Sequence, residues 1–494
     1  METRKILVII FLAALLRLFW LNQVPPSLNW DEAAIAWNAK TIFHTRRDEY
    51  GVKLPLAFKS FGDYKAPVYI YLTAPIVGLF GVNQVTVRLV SVFAGIGSVW
   101  LIFLIAKILK QEIAIISAFL MAISPWHILL SRPAFEPNLA LFFILAAVYC
   151  FLKALRENYF FVGFILSSVF SLYSYHSPKI FLPFFILGLI IIYFKQIFSR
   201  NNFKVLLISF ILGLICLIPL IKATFYSQAG ARFSATSIFY NQKGEKQPID
   251  FKLIVNLIYN YLIHYSPTFL FWGNDQMPRL QVRYFGPILL VQAPFLIFGL
   301  IYLIRHHRQP WSKLLLLWFL LGPLPAVIGR EVPHPIRSYN WLPVLIIISA
   351  LGLKDYFNKS LIFFLLSLNF VFFSYYYFFI YPIYSAKDWQ YGYQEASEFA
   401  KAEETSVERI IFTSAYGQPH VFTYVYQHRE PLNVFWGAMS KYLFRDVKWP
   451  EDNQLKNHLL IGSPAEIPED APGIIKTINY PDGQPAFRIV KTKL

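Results

Sequence analysis

Apolar runs near or above eighteen residues recur along most of this 494-residue chain, and they limit what it can fold into. About 20 apolar residues in helical form cross roughly 30 Å of hydrocarbon, and a helix satisfies its own backbone hydrogen bonds where lipid cannot. The composition agrees, with 56% hydrophobic and only 15% charged residues, and a mean hydropathy of +0.47. A string of soluble domains is excluded. The 48 Phe and 30 Tyr suit lipid-facing surface and interfacial belts. The formal net charge of +17 would suggest nucleic acid in a soluble protein. Here the basic residues gather at span ends, where they orient helices and meet anionic headgroups, so no nucleic-acid partner is expected. Cys150 and Cys216 both fall inside apolar runs and read as small core residues.

Hydropathy predicts about eleven spans. They lie near 6–24, 84–107, 112–130, 137–155, 159–174, 180–197, 204–221, 286–304, 312–328, 339–353 and 360–381. No small-x-small cleavage pattern follows the first, so it reads as a retained helix. The stretch 67–81 is short, holds two prolines and reads as interfacial. Arg4/Lys5, Lys107/Lys110, Lys153/Arg156, Lys195/Arg200/Lys204, Arg305/Arg308/Lys313 and Lys354/Lys359 share one side, which should be cytoplasmic. The opposite side receives the long loops 25–83 and 222–285, and everything from 384 onward. The expected fold is an all-α polytopic membrane bundle (1–383) with a small extracytoplasmic α/β domain (384–494). Within that domain, strands are expected at Arg409 onward, near Leu459, and as a pair around Pro481-Asp482-Gly483, with a helix over Gln394–Glu403.

The outer side carries the chemistry. Asp31 and Glu32 follow the first span, in Asn29-Trp30-Asp31-Glu32. The same loop holds Asp63-Tyr64-Lys65-Ala66-Pro67, and the next holds Arg132 and Glu136, with Pro137 directly after. Further along come Tyr175-His176 and Lys179, then Arg232, Asn274-Asp275 and Arg279, and finally Arg330-Glu331, His334 and Arg337. Acid and base therefore alternate on one face of an apolar bundle, which suits a lipid-linked anionic substrate. A carboxylate can take a proton from an acceptor hydroxyl, and Lys or Arg can stabilise charge on a phosphate leaving group. Plainer readings stand beside these: a solvated acidic loop for Asp31-Glu32, headgroup snorkelling for Lys65, an i, i+4 ion pair for Arg132/Glu136, hydrogen-bonded loop histidines for His176 and His334, and interfacial anchors for Lys179 and Arg279.

On these residues the chain resembles GT-C-fold glycosyltransferases, notably the protein O-mannosyltransferases and the aminoarabinose transferases that modify lipid A. In that group an Asp-Glu pair follows the first helix, as Asp31-Glu32 does here. A Glu-Lys-Pro-Pro-like element is matched by Asp63 to Pro67, an Arg-x-x-x-Asp-like element by Arg132 and Glu136, and a late His-x-x-Arg by His334 and Arg337. The resemblance covers about residues 1–353. It implies an enzyme that takes a polyprenyl-phosphate sugar and transfers the sugar, with inversion, outside the cytoplasm to a protein, lipid or glycan acceptor. Asp31 would be the base, with Glu32 and Glu136 in support. Lys65, Asp63, Arg132, His334 and Arg337 would bind substrate, with Lys65 on the lipid phosphate and Arg337 assisting. Three positions depart from the pattern. Tyr64 stands where the aminoarabinose enzymes have a metal-binding Glu, so the motif does not support the divalent metal such an enzyme could use, and the cofactor stays unknown. Glu replaces Asp at 136, and Ala66 replaces the first proline.

Two other classes compete. An oligosaccharyltransferase-like enzyme would use a Trp-Trp-Asp motif after the last span, where this chain has Asp388-Trp389-Gln390. A lipid-linked-sugar flippase or transporter would bury ionisable residues deep in several spans. The clusters here sit at span ends, with Arg17 the main exception. A non-catalytic sugar-binding protein would need no acid beside a phosphate pocket.

Overall fold

The computed structural model describes residues 2–225, 236–241, 244–273, 277–354 and 359–493. The chain divides into two compact units. One comprises residues 1–19, 56–69 and 90–375; the other comprises 20–55, 70–89 and 376–494.

Each expected span is helical over most of its length. Among the described residues, five helices are long and apolar enough to cross a membrane: α4 (Gln84–Leu109), α7 (Glu136–Ala154), Arg200–Lys222, Pro310–Val327 and Ser360–Tyr384. The remaining segments form shorter apolar helices, among them α1 (Glu2–Leu18), α8 (Phe160–Leu172), α9 (Pro178–Ile192), Leu290–Arg305 and Tyr339–Leu353. The protein is a multi-pass membrane protein. The stretch read as interfacial forms α3 (Pro67–Phe80).

Two expected spans differ from their sequence outline. The helix expected over 6–24 ends at Leu18: Trp20 takes a φ of +48°, which a right-handed helix cannot continue through, and Arg88 captures the carbonyls of Leu21, Pro25 and Ser27 that follow. The segment expected at 112–130 is two helices, α5 (Ala114–Ala122) and α6 (Pro125–Ser131), bent by 57°. Ser124 ends the first and caps the second, its hydroxyl accepting the His127 N–H at 3.3 Å, and Pro125 opens the new helix.

In the second unit, α2 (Trp30–Thr45) is the organising helix. Asn29 caps it, accepting the N–H groups of Asp31 and Glu32 at 2.8 and 3.0 Å, while Glu32 reaches back to the Asn29 N–H. Arg88, five residues into α4, is wholly buried. Its guanidinium grips Glu32 through two oxygens, at 2.9 and 3.1 Å. It also donates to the carbonyls of Leu21 (2.8 Å), Pro25 (3.1 Å) and Ser27 (2.7 Å). All five guanidinium N–H groups are thereby used, and one arginine fixes both the linker after α1 and the start of α2.

The C-terminal part of this unit carries a five-stranded sheet in the order β4-β3-β5-β7-β6. Its strands are β3 (Arg409–Phe412), β4 (Tyr442–Phe444), β5 (His458–Gly462), β6 (Ile474–Asn479) and β7 (Pro485–Lys491). β3 pairs in parallel with β4 and β5, and β7 runs antiparallel between β5 and β6. Ile411, Leu460, Val490 and Ile467 form the core on one face. On the other, Tyr393 of the helix Tyr393–Glu403 stacks on Phe422 at 4.2 Å and lies 5.7 Å from Phe412. The helix Pro419–Tyr426 packs on α2, with Trp37 and Tyr424 ring centroids 4.9 Å apart. Lys40 donates to the Arg429 carbonyl at 2.8 Å and pairs with Glu430 at 2.9 Å.

Two predictions follow from this packing. Removing Arg88 strands the buried Glu32 carboxylate, so Arg88→Leu should cost about 3–5 kcal/mol, while Arg88→Met with Glu32→Gln should recover much of it. Thermal unfolding in lipid nanodiscs reads both; an unshifted midpoint in Arg88→Leu contradicts the role. His420, between Tyr424 and Phe444, has its pKa pushed down from 6.5 to about 4 by burial. Folding then favours the neutral ring, so stability is full above pH 6.5 and declines as pH falls toward about 4, by at most about 3 kcal/mol. Amide exchange in Pro419–Tyr426 should speed up across that window beyond the intrinsic rate change. His420→Phe should remove the effect, and equal pH sensitivity in both proteins would contradict it.

Candidate active site

The adjacent acids of α2 point to different surroundings. Glu32 is fully buried and engaged on both oxygens by Arg88. Asp31 is half-buried, and its Oδ2 accepts the indole N–H of Trp30 at 3.1 Å. Its position one residue before Glu32, in the first helical turn, turns its side chain away from the Arg88 contact and favours negative charge there. Gln390 ties the same turn to Tyr416, in the segment after β3. Its Oε1 accepts the Trp30 N–H at 2.7 Å and its Nε2 donates to the Tyr416 carbonyl at 2.6 Å. Gly417, at φ +80°, lies against the Trp30 ring, where a Cβ would come within 2.9 Å.

In the first unit, Lys65 ends a tight hairpin of β1 (Phe58–Ser60) and β2 (Asp63–Lys65). Phe61 and Gly62 both take positive φ (52° and 81°), as a two-residue hairpin turn requires. The Asp63 carboxylate accepts the Tyr64 N–H at 2.7 Å, so this acid stabilises the hairpin. Lys65 is only 8% exposed. It lines a small cleft with Tyr64, Tyr173, His176 and Lys179. The Lys179 ammonium donates to His176 Nδ1 at 3.5 Å. Two ammonium groups on one enclosed cleft suit a compact anion. Lys179, read from the sequence as an interfacial anchor, thus joins Lys65 in this cleft.

Arg132 is wholly buried and donates to the carbonyls of Leu16 and Phe19 at 2.6 and 2.7 Å, capping the end of α1. Glu136 opens α7, where the helix N-terminus favours a carboxylate. Arg17 is a second buried tie, donating to the Ala13 and Ala122 carbonyls at 3.0 and 3.3 Å and meeting His127 Nδ1 at 2.5 Å. His334 and Arg337 share one turn. The Arg337 N–H donates to His334 Nδ1 at 3.4 Å, and His334 Nε2 lies 3.9 Å from Glu331. The His334 N–H in turn donates to Nε2 of the buried His264 at 3.3 Å. The Arg337 guanidinium lies over Gly329, where a Cβ would stand 2.0 Å from Nη1, so a larger residue there would displace the tip of the arginine.

Sequence reasoning missed Arg88, His264 and Gln390. Only Arg88 left a signal: a lone arginine inside an apolar span needs a buried acid. Arg232, Asn274 and Asp275 lie outside the described residues. Among the described residues no three His, Cys, Asp or Glu side chains cluster as a metal site.

Residues 64–175 match the family described as dolichyl-phosphate-mannose-protein mannosyltransferase. No curated protein matches the chain. Its structure is similar to that of ArnT from Cupriavidus metallidurans bound to undecaprenyl phosphate. The TM-score is 0.58 at 10% identity, covering 99% of this chain and 98% of that one. It is also similar to the Archaeoglobus fulgidus oligosaccharyltransferase in its apo form (TM-score 0.53, 13% identity, 93% and 69% covered). The archaeal oligosaccharyltransferase AglB from the same organism, in complex with an inhibitory peptide and a dolichol-phosphate, gives a TM-score of 0.52 at 12% identity over the same shares. The chain therefore has the GT-C fold, and over residues 64–175 it resembles the protein mannosyltransferases.

Proposed function

We propose that this protein is a membrane glycosyltransferase that moves a hexosyl or pentosyl group from a polyprenyl-phosphate donor to an acceptor hydroxyl, with inversion, on the extracytoplasmic face of the cell membrane. In this reading a bundle of about eleven spans occupies residues 1–383, and 384–494 form the extracytoplasmic domain. The observation that carries it is the division of the acid pair: Arg88 commits Glu32 to structure and holds the turn from which Asp31 projects. The GT-C fold and the mannosyltransferase match over 64–175 support the same class.

Asp31 takes the proton of the acceptor hydroxyl as its oxygen attacks the anomeric carbon. The bond from that carbon to the phosphate oxygen breaks, and polyprenyl phosphate leaves with the electron pair. One displacement inverts the centre, and no sugar–enzyme intermediate is needed. Lys65, with Lys179 in the same cleft, meets the charge growing on the phosphate. Arg337 and His334 assist in substrate binding. Glu32 and Arg132 act as positioning residues, because their polar atoms hold the ends of α2 and α1. Glu136 supports the site from the start of α7, and Asp63 supports Lys65 through the hairpin. An oligosaccharyltransferase-like enzyme is also compatible with this fold; at the position of its motif Trp389 is buried, and its indole donates to the Tyr381 hydroxyl at 2.7 Å.

The test is incubation of purified protein with a panel of labelled polyprenyl-phosphate sugars, reading polyprenyl phosphate release and product mass. At least one donor should be cleaved with its sugar recovered on an acceptor. Lys65→Ala should lose about 2–4 kcal/mol of transition-state stabilisation, a fall of roughly 30- to 1000-fold in kcat/KM, with the fold intact. Unchanged donor kinetics would remove Lys65 from the site, and no cleavage across the panel would count against the class.

A further inference from the structure

The C-terminal sheet has a feature that sugar transfer does not use. β3, β4 and β5 are parallel, with β3 in the middle. The chain leaves the end of β3 toward β4, and leaves the end of β5 toward the other edge of the sheet. The two connections therefore diverge between β3 and β5. In sheets of this kind a crevice opens at the carboxyl ends of such strands, and ligands bind there. A cavity of about 590 Å³ lies at that position, lined by Ala415 and Tyr416 after β3 and by Ser463 to Ala465 after β5. Tyr384, Lys387, Tyr480, Asp482 and Gln484 complete its walls.

The crevice is not built for an anion. A phosphate site there would use free backbone N–H groups in the loops after the strands. Here the Glu466 carboxylate takes two of the loop N–H groups, those of Ser463 at 2.6 Å and Val447 at 2.9 Å, and also the Thr413 hydroxyl at 2.8 Å. The Ala415 N–H is held by Thr413 Oγ1 at 3.0 Å. The two charged wall residues, Lys387 and Asp482, have opposite signs. What remains is a set of tyrosine rings beside amide, carboxylate and ammonium groups. Tyrosines offer an apolar face and a polar tip, and side chains with both donors and acceptors suit hydroxyl groups. The volume lies within the usual range for small-molecule sites.

We propose that this crevice is a binding site for a neutral oligosaccharide, with the glycan's hydroxyls on Lys387, Asp482 and Gln484 and its ring faces against Tyr416 and Tyr480. The site does not depend on the transfer reaction, because binding needs no lipid donor, so either reading can fail alone. The experiment is saturation-transfer NMR on the full-length protein in nanodiscs. The probes are neutral manno-, gluco- and N-acetylglucosamine-type di- to tetrasaccharides, with hexose phosphates and inorganic phosphate as the anionic arm. At least one neutral probe should bind, and phosphates should bind more weakly. The double variant Lys387→Ala/Gln484→Ala, at two exposed positions, should weaken it about tenfold. Ala465→Trp fills the crevice from an exposed alanine, breaks no side-chain hydrogen bond and should abolish binding. The proposal is overturned if no neutral probe binds, if a phosphate binds better, or if Ala465→Trp binds as the parent does.

Discussion

One buried ion pair, Arg88 with Glu32, holds together the start of the helix from which the proposed base projects. Burying Arg88 and Glu32 would cost several kcal/mol per charge if either were left alone. The structure offsets this by using every guanidinium N–H, two on the carboxylate and three on carbonyls of the linker after α1. Apolar substitutes could fill the space but could not hold the carbonyls of Leu21, Pro25 and Ser27. The ion pair sets where the first helix's linker runs and where α2 begins.

From that constraint the rest of the acid pair follows. Asn29 and Glu32 complete a capping box, so the first turn of α2 is held by side chains as well as by backbone. Asp31 lies inside this turn but outside the Arg88 contact, and Gln390 and Gly417 pack against its neighbour Trp30. The proposed general base needs a fixed position, which this capped turn supplies. Adjacent carboxylates meet different surroundings because helical geometry points them in different directions.

Much of this was legible in the sequence. The helices answer to apolar runs, since lipid leaves a helix as the only open-chain solution. Four of the five C-terminal strands answer to β-branched stretches, but Tyr442–Phe444 has only three residues and is held by its parallel pairing with β3. Asp31, Glu32 and Lys65 stood out as charges at span ends. Their partners did not, because contacts such as Glu32 with Arg88, His334 with His264 and Trp30 with Gln390 join residues distant in sequence. Arg132 and Glu136 read as an i, i+4 pair. Arg132's bonds to Leu16 and Phe19 arise from the end of α1 packing beside it, which no local spacing reveals.

The central claim is that the two adjacent acids do different things, one reacting and one holding. Asp31→Asn and Glu32→Gln, prepared in the same nanodiscs, separate these roles when unfolding midpoint and sugar transfer are measured side by side. Asp31→Asn should keep the parent midpoint and transfer about 10²–10⁴-fold more slowly, while Glu32→Gln should unfold several degrees earlier. Parent-rate transfer by Asp31→Asn, together with a stable but inactive Glu32→Gln, would contradict the account.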